Sequence, residues 1–146
     1  MMRFLYLVFT VVAAKPPHII FMLVDDLGWN DVGWHDQFDQ INTPKLDELQ
    51  RNSLALDRYY VYRFCSPSRS TFMTGRYPWH LGQQTGMNLN PTPGIACGIN
   101  LAYTFLPQLL KERANYTTWA LGKWHLGFLN DSYTPTYRGF DRYLGY

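Results

Sequence analysis

Residues 18–24 (His-Ile-Ile-Phe-Met-Leu-Val) form a near-continuous apolar run. Apolar and polar positions do not alternate within it, which predicts a strand buried on both faces of a parallel sheet. The run ends at Asp25-Asp26-Leu27-Gly28. A second apolar stretch lies earlier, from Phe4 to Val12, interrupted by Thr10. It follows a short basic start, Met1-Met2-Arg3, and is followed by small residues, so residues 1–14 read as a cleavable secretory leader, with a buried first strand as the alternative. The stretch is too short to span a bilayer as a helix. Lys15-Pro16-Pro17 links it to the main domain, residues 15–146.

Further along, the pattern changes period. Thr43-Pro44 is a helix start, with Thr43 as N-cap and Pro44 as first helical residue. Asp47 and Glu48 suit the positive end of that helix, and Leu46 and Leu49 share a face. Residues 54–61 predict an extended segment. Ser66 then predicts a cap, with Pro67 in the first turn of a helix that ends near Gly75. Residues 76–103 carry glycines and prolines without a period and read as a long irregular loop. A short helix is expected over 104–113, with Leu106, Leu109 and Leu110 inward, and a strand over 116–121. Arg138-Gly139-Phe140-Asp141 is turn-like. Strands alternating with helices predict an α/β fold with a mainly parallel sheet.

Composition narrows the function classes. Hydrophobic residues make up 47% and charged residues 16%, enough apolar content for a core and too little charge for a disordered chain. A net charge of +2 with no run of Lys or Arg gives no basis for a nucleic-acid partner or an anionic membrane surface. The aromatic share, 17%, suits a packed domain or a sugar-facing cleft. Two glycosylation sequons, Asn115-Tyr116-Thr117 and Asn130-Asp131-Ser132, agree with a secretory route. Cys65 and Cys97 are the only cysteines, and a 65–97 disulfide is the plain structural reading of the pair.

Three polar clusters follow the apolar or extended segments: Asp25/Asp26, Cys65 to Arg69, and Lys123/His125. Each has an ordinary explanation. Paired aspartates after a strand often only form a turn, a cysteine before a helix is often a buried hydrophobe, and a Lys-x-His pair is often a solvated edge. In a parallel sheet, however, all three fall on the rim at the carboxyl ends of the strands, where ligands bind. Two carboxylates supply hard oxygen ligands for Ca²⁺ or Mg²⁺. A helix beginning at Ser66 offers N–H groups to an anion, Arg69 and Lys123 add positive charge, and His125 can move a proton near neutral pH. The combination predicts an oxyanion substrate, a sulfate or phosphate ester.

Cys65-Ser66-Pro67-Ser68-Arg69, followed by Thr74-Gly75, resembles the sulfatase nucleophile signature with its C-x-P-S-R core. Tyr116-Thr117 with Gly122-Lys123-Trp124-His125 resembles the second sulfatase signature, and Asp25-Asp26-Leu27-Gly28-Trp29 the amino-terminal metal motif. The three stand in the family's order, and the resemblance covers about residues 18–146. Asp25 to Gly33, Thr43-Pro44 and Arg138-Gly139-Phe140-Asp141 look most like arylsulfatase B (N-acetylgalactosamine-4-sulfatase) and its close relatives.

The resemblance implies an alkaline-phosphatase-like α/β sandwich, of which this chain is the amino-terminal part, and an arylsulfatase-type hydrolase. It implies oxidation of Cys65 to formylglycine by the formylglycine-generating enzyme, which leaves Cys97 without that partner. It implies that one hydroxyl of the hydrated aldehyde attacks sulfur and expels the alcohol, leaving sulfate on residue 65, and that proton loss from the other hydroxyl then expels sulfate and restores the aldehyde. It further implies Ca²⁺ held by Asp25, Asp26 and modified Cys65, with Arg69 supporting the diol, Lys123 on the sulfate, and His125 bonded to the diol. The expected substrate is a sulfate ester, on a sulfated glycan, and the expected location is lysosomal or extracellular. The chain departs from the pattern at Asn115, where the family usually has Gly. Sulfatases are several times longer, and their second metal-binding pair and a further His and Lys lie downstream of Lys123; His18, His35 and His80 match none of these. Two other readings stay open: a phosphatase or phosphodiesterase of the alkaline-phosphatase-like group, against which Cys-x-Pro-x-Arg argues, and a non-enzymatic secreted fragment that binds sulfated glycans.

Overall fold

The computed structural model describes residues 15–38, 40–83 and 97–146; the predicted leader and residues 84–96 of the expected irregular loop lie outside them. The regular elements among the described residues are α1 (Pro44–Arg51), α2 (Cys65–Thr74), α3 (Leu106–Ala114), β1 (Trp119–Gly122) and β2 (Arg142–Gly145). Short 3₁₀ turns occupy Gly33–His35, Pro78–Leu81 and Asp131–Tyr133.

The sheet is parallel, as the sequence predicts. β1 and β2 pair in register from Trp119↔Arg142 to Gly122↔Gly145. Parallel neighbours need a long crossover, and residues 123–141 supply it. Asp141 fixes its end. Its carboxylate accepts from Thr118 N–H at 2.8 Å and from Lys111 Nζ at 2.6 Å, while its own N–H donates to Thr118 O at 2.7 Å.

The expected strand over 18–24 is corrected by the structure: no ladder forms there. Both ends of the segment are nevertheless tied to the region of β1. Tyr116 Oη donates to Pro17 O at 2.8 Å, and Lys123 Nζ donates to Asp25 Oδ2 at 2.7 Å. The segment therefore runs in the same direction as β1. Its apolar side chains stay exposed, Ile20 at 90% and Met22 at 74%, so the two-sided burial that a central parallel strand depends on is missing. Phe21 is half-exposed and stacks on Phe72 of α2, with ring centroids 3.7 Å apart. Residues 54–61 likewise form no strand; a turn at Asp57-Arg58 interrupts them.

The helices follow the expected sites with local corrections. α1 begins at Pro44 after Thr43, but the Thr43 hydroxyl does not cap it. That hydroxyl accepts from Gly33 N–H at 2.8 Å and donates to Asp47 Oδ1 at 2.7 Å, joining the helix to the preceding turn. α2 opens at Cys65 with Phe64 as N-cap, not at Ser66. The cause is Ser68, whose N–H and hydroxyl both donate to Phe64 O, at 3.2 and 2.8 Å, closing the first turn one step earlier. Gly75 ends α2 at φ 65°, a left-handed value that glycine adopts without a Cβ penalty. In α3, Leu109 is 42% exposed rather than inward. The anchor is Phe105, just before the helix, which is fully buried.

The core sits in the second half of the chain. Ile99, Phe105, Trp124 and Leu126 form it, with Met73 of α2, Cys97, Tyr103, Phe140 and Tyr143 packed around. Arg138 is buried against it, its guanidinium 3.8 Å from the Phe105 ring centroid. The same group donates to Tyr103 O at 2.9 Å and Leu101 O at 3.4 Å, so its charge is buried with hydrogen-bond partners. Cys65 and Cys97 are both free thiols.

Candidate active site

Asp25 and Asp26 form a turn directly after the apolar run. Asp26 has φ 53°, a left-handed backbone that aspartate tolerates better than most residues. Cys65 is the first residue of α2 and Arg69 lies four positions on, so both side chains share one helix face. Lys123 and His125 follow β1 on either side of Trp124, which turns into the core. The alternation sends Trp124 inward and leaves its two polar neighbours for the site.

These elements converge. Asp25, Asp26 and Cys65 bring one potential ligand atom each to within 4.8 Å of one another. Lys123 Nζ lies 2.7 Å from Asp25 Oδ2, and Arg69 Nη2 lies 3.4 Å from Asp25 Oδ1. Arg69 Nη1 also donates to Lys123 O at 2.8 Å, locking α2 to the end of β1. The Arg69 Nε is buried and has no partner among the described residues, nor has the hydroxyl of buried Ser66.

The charges tune one another. A hydrogen bond from Lys123 holds the Asp25 carboxyl below its ordinary 3.8, against the opposing effect of burial and with help from Arg69. The bond to Asp25 raises Lys123 above its ordinary 10.5, and the Cys65 side chain adds to the rise. Burial pushes His125 below its ordinary 6.5, and the positive charges of Lys123 and Arg69 push the same way. His125 is therefore mainly neutral at pH 7 and equipped to accept a proton.

The remaining candidates stay outside this cluster. His18 and His80 are exposed, and His35 stacks on Trp29 at 3.7 Å with Nδ1 3.0 Å from Trp29 O. Asn115 is exposed at the end of α3 with φ 53°. Asn130 is exposed and accepts from Ser132 N–H at 2.9 Å. Sequence reasoning missed Tyr143, whose hydroxyl donates to Gly122 O at 2.9 Å just before Lys123. No sequence motif announces that contact, because it depends on the β1–β2 register. Trp124 stands in the second signature without an assigned role, though a large aromatic between two polar site residues is a usable signal for a core anchor.

Residues 17–146 match the family model described as Sulfatase. The chain belongs to the sulfatase family. Over 129 residues this sulfatase chain is 46% identical to arylsulfatase J of Mus musculus, a match that covers 88% of the chain and 21% of that protein. It is 36% identical to N-acetylgalactosamine-6-sulfatase of Homo sapiens, covering 91% of the chain and 26% of that protein. Among solved structures it resembles Ps i-CgsB in complex with k-i-k-neocarrahexaose, with a TM-score of 0.73 and 42% identity over 84% of this chain and 26% of that one. The sulfatase chain thus spans about a quarter or less of the length of these relatives. The likeness in structure supports the alkaline-phosphatase-like α/β fold, of which the parallel β1–β2 pair with its helices is part.

Proposed function

We propose that this sulfatase chain supplies the nucleophile segment of a sulfuric ester hydrolase. One observation carries the reading: Asp25, Asp26 and Cys65 gather within 4.8 Å, with the Lys123 ammonium on Asp25 beside them. Two carboxylates suit Ca²⁺, a hard cation, whereas a thiol is too soft for it. The donor set fits calcium once residue 65 carries oxygen, as formylglycine does. Asp25 has lone pairs left for a metal beyond those bonded to Lys123 and Arg69. Bound Ca²⁺ supplies charge for the sulfate oxygens, and formylglycine at 65 supplies a hydrated aldehyde as oxygen nucleophile.

The chain's own residues then have distinct tasks. Lys123 holds a sulfate oxygen, and Arg69, bonded to Asp25 and to the Lys123 main chain, supports the diol at residue 65. Neutral His125 takes the proton that leaves residue 65. The formylglycine-generating enzyme, reading Cys65-x-Pro67-x-Arg69, is the partner that installs the nucleophile. A sulfated glycan is the substrate class. The names of two relatives support it, one an N-acetylgalactosamine-6-sulfatase and the other solved with k-i-k-neocarrahexaose. Residues 1–14 act as a secretory leader, Asn115 and Asn130 carry glycans, and the chain acts in the lysosome or outside the cell. No helix among the described residues is long and apolar enough to cross a membrane.

The test is turnover of a chromogenic aryl sulfate by protein co-expressed with the formylglycine-generating enzyme, with residue 65 checked by mass spectrometry. Turnover should require Ca²⁺ and fall by at least ~10³-fold in Cys65→Ala. Absence of turnover from protein that carries formylglycine and Ca²⁺ would defeat the hydrolase reading for this chain.

A further inference from the structure

His125 has φ 56°, a left-handed backbone that residues with a Cβ seldom adopt. The residues on both sides explain how it is held. Trp124 is 8% exposed and Leu126 is 1% exposed, both in the core cluster. Trp124 N–H donates to Tyr146 O at 2.9 Å, and Leu126 O accepts from Ile99 N–H at 3.0 Å. His125 is therefore a half-buried residue held between two core anchors.

A second layer closes the loop. Gly98 and Gly127 form an isolated antiparallel bridge. Trp124 Nε1 donates to Gly127 O at 3.1 Å and to Tyr133 O at 3.0 Å, drawing residues 127 and 133 around the indole. The approach leaves no room for side chains. A Cβ on Gly127 would lie 2.6 Å from Gly98 Cα, and a Cβ on Gly98 would collide with the Tyr133 ring at Cδ1. Gly127 also sits at φ 125°, open to glycine and strained for other residues.

The geometry points to Gly98, Gly127 and Tyr133 as a clamp that positions His125 in the site. The clamp rests on the reading of His125 as a site residue, but its geometry can be tested without any turnover measurement. The three are positioning residues: Gly98 and Gly127 act by their close approach and Tyr133 by the main-chain oxygen that holds the Trp124 indole, so that the 124–127 loop stays closed and sets the direction of the imidazole.

The experiment uses the full chain, with His125 observed by NMR. A positive φ gives a strong NOE between the amide proton and Hα of the same residue, and the imidazole signals report the ring's surroundings. In Gly98→Ala the NOE should be lost and the imidazole signals should move. Adding Tyr133→Ala, which removes the ring that the new methyl strikes, should restore the NOE. Phe72→Leu, which loosens the stack on Phe21 outside the core cluster, should lower stability and leave the His125 signals in place. An unchanged NOE in folded Gly98→Ala overturns the clamp, as does an equal loss in Phe72→Leu. If Gly98→Ala fails to fold, Trp124→Phe decides, since it keeps a ring and removes the N–H that ties Gly127 and Tyr133. Loss of the NOE there supports the clamp, and its persistence overturns it. Failure of the hydrolase reading would show only in the aryl sulfate assay, so the two results remain separate.

Discussion

The apolar run at 18–24 reads as buried in sequence, and residues 97–103 read as part of an irregular loop, yet it is the segment from 97 to 126 that holds the core. The later segment supplies Ile99, Phe105, Trp124 and Leu126, each at most 8% exposed, around one core. The earlier run keeps Ile19 to Val24 between 40% and 90% exposed. The difference lies in partners rather than in composition. The core residues of 97–126 meet Met73 of α2, Phe140 of the crossover and Tyr143 of β2, which cover them from several sides. The run at 18–24 meets Phe72 and the two hydrogen-bonded ties at its ends. Hydrophobicity becomes stability only where another element covers it. The site is built at the joint between the two regions, with Asp25 from the first held by Arg69 and Lys123.

This contrast can be broken at several points. The largest effect is expected from Phe105→Ala, which empties the centre of the core and removes the ring beneath Arg138. It should cost about 3–5 kcal/mol in urea unfolding. Phe21→Ala removes an exposed ring that stacks on Phe72 and should cost only ~1 kcal/mol by the same measurement. A larger loss would mean that the first region is structurally as important as the second. His125→Gly should move the other way, raising stability by roughly 0.5–1 kcal/mol, because the left-handed strain relieved at φ 56° exceeds the added freedom of glycine in the unfolded chain. It should also abolish any turnover, so stability and site would respond with opposite signs.

The smallest effect concerns the joint itself. The folded Asp25 carboxyl titrates below the ordinary 3.8, so the unfolded chain binds the proton first as pH falls. The stabilising contribution of Asp25 is therefore complete above 3.8 and is lost as pH drops through the lowered folded value. Lys123 is raised above 10.5, so its contribution is complete below 10.5 and is lost as pH rises through the raised value. The tie between the two regions should hold across the interval between. An NMR titration of the Asp25 carboxyl carbon should show a midpoint below 3.8, returning towards 3.8 in Lys123→Met. An unmoved midpoint in that variant would remove Lys123 as the main cause.

Much of the site was legible in the order and spacing of its residues. Cys65 and Arg69 are four apart, the spacing that puts two side chains on one helix face, and the helix is there. The start of α1 followed from Thr43-Pro44, although the Thr43 hydroxyl went to Gly33 and Asp47 instead of the helix N–H groups. Two carboxylates after an apolar run marked the ligand end of the chain's first segment, and they meet Cys65. The exposure of residues 18–24 was not legible, because an apolar run records what a segment would bury and not whether a neighbour is present to cover it.

By itself the sequence determined the family, the order of its three motifs and the residue types available for binding an oxyanion and a cation. Side-chain chemistry and local spacing suffice for those. Only the tertiary structure decided that Arg69 binds the Lys123 main chain, that Arg138 is buried on Phe105, and that His125 is held in a left-handed backbone between two core anchors. Each of these depends on contacts between residues distant in the chain, or on the packing of both neighbours at once, and neither is written in any short stretch of sequence.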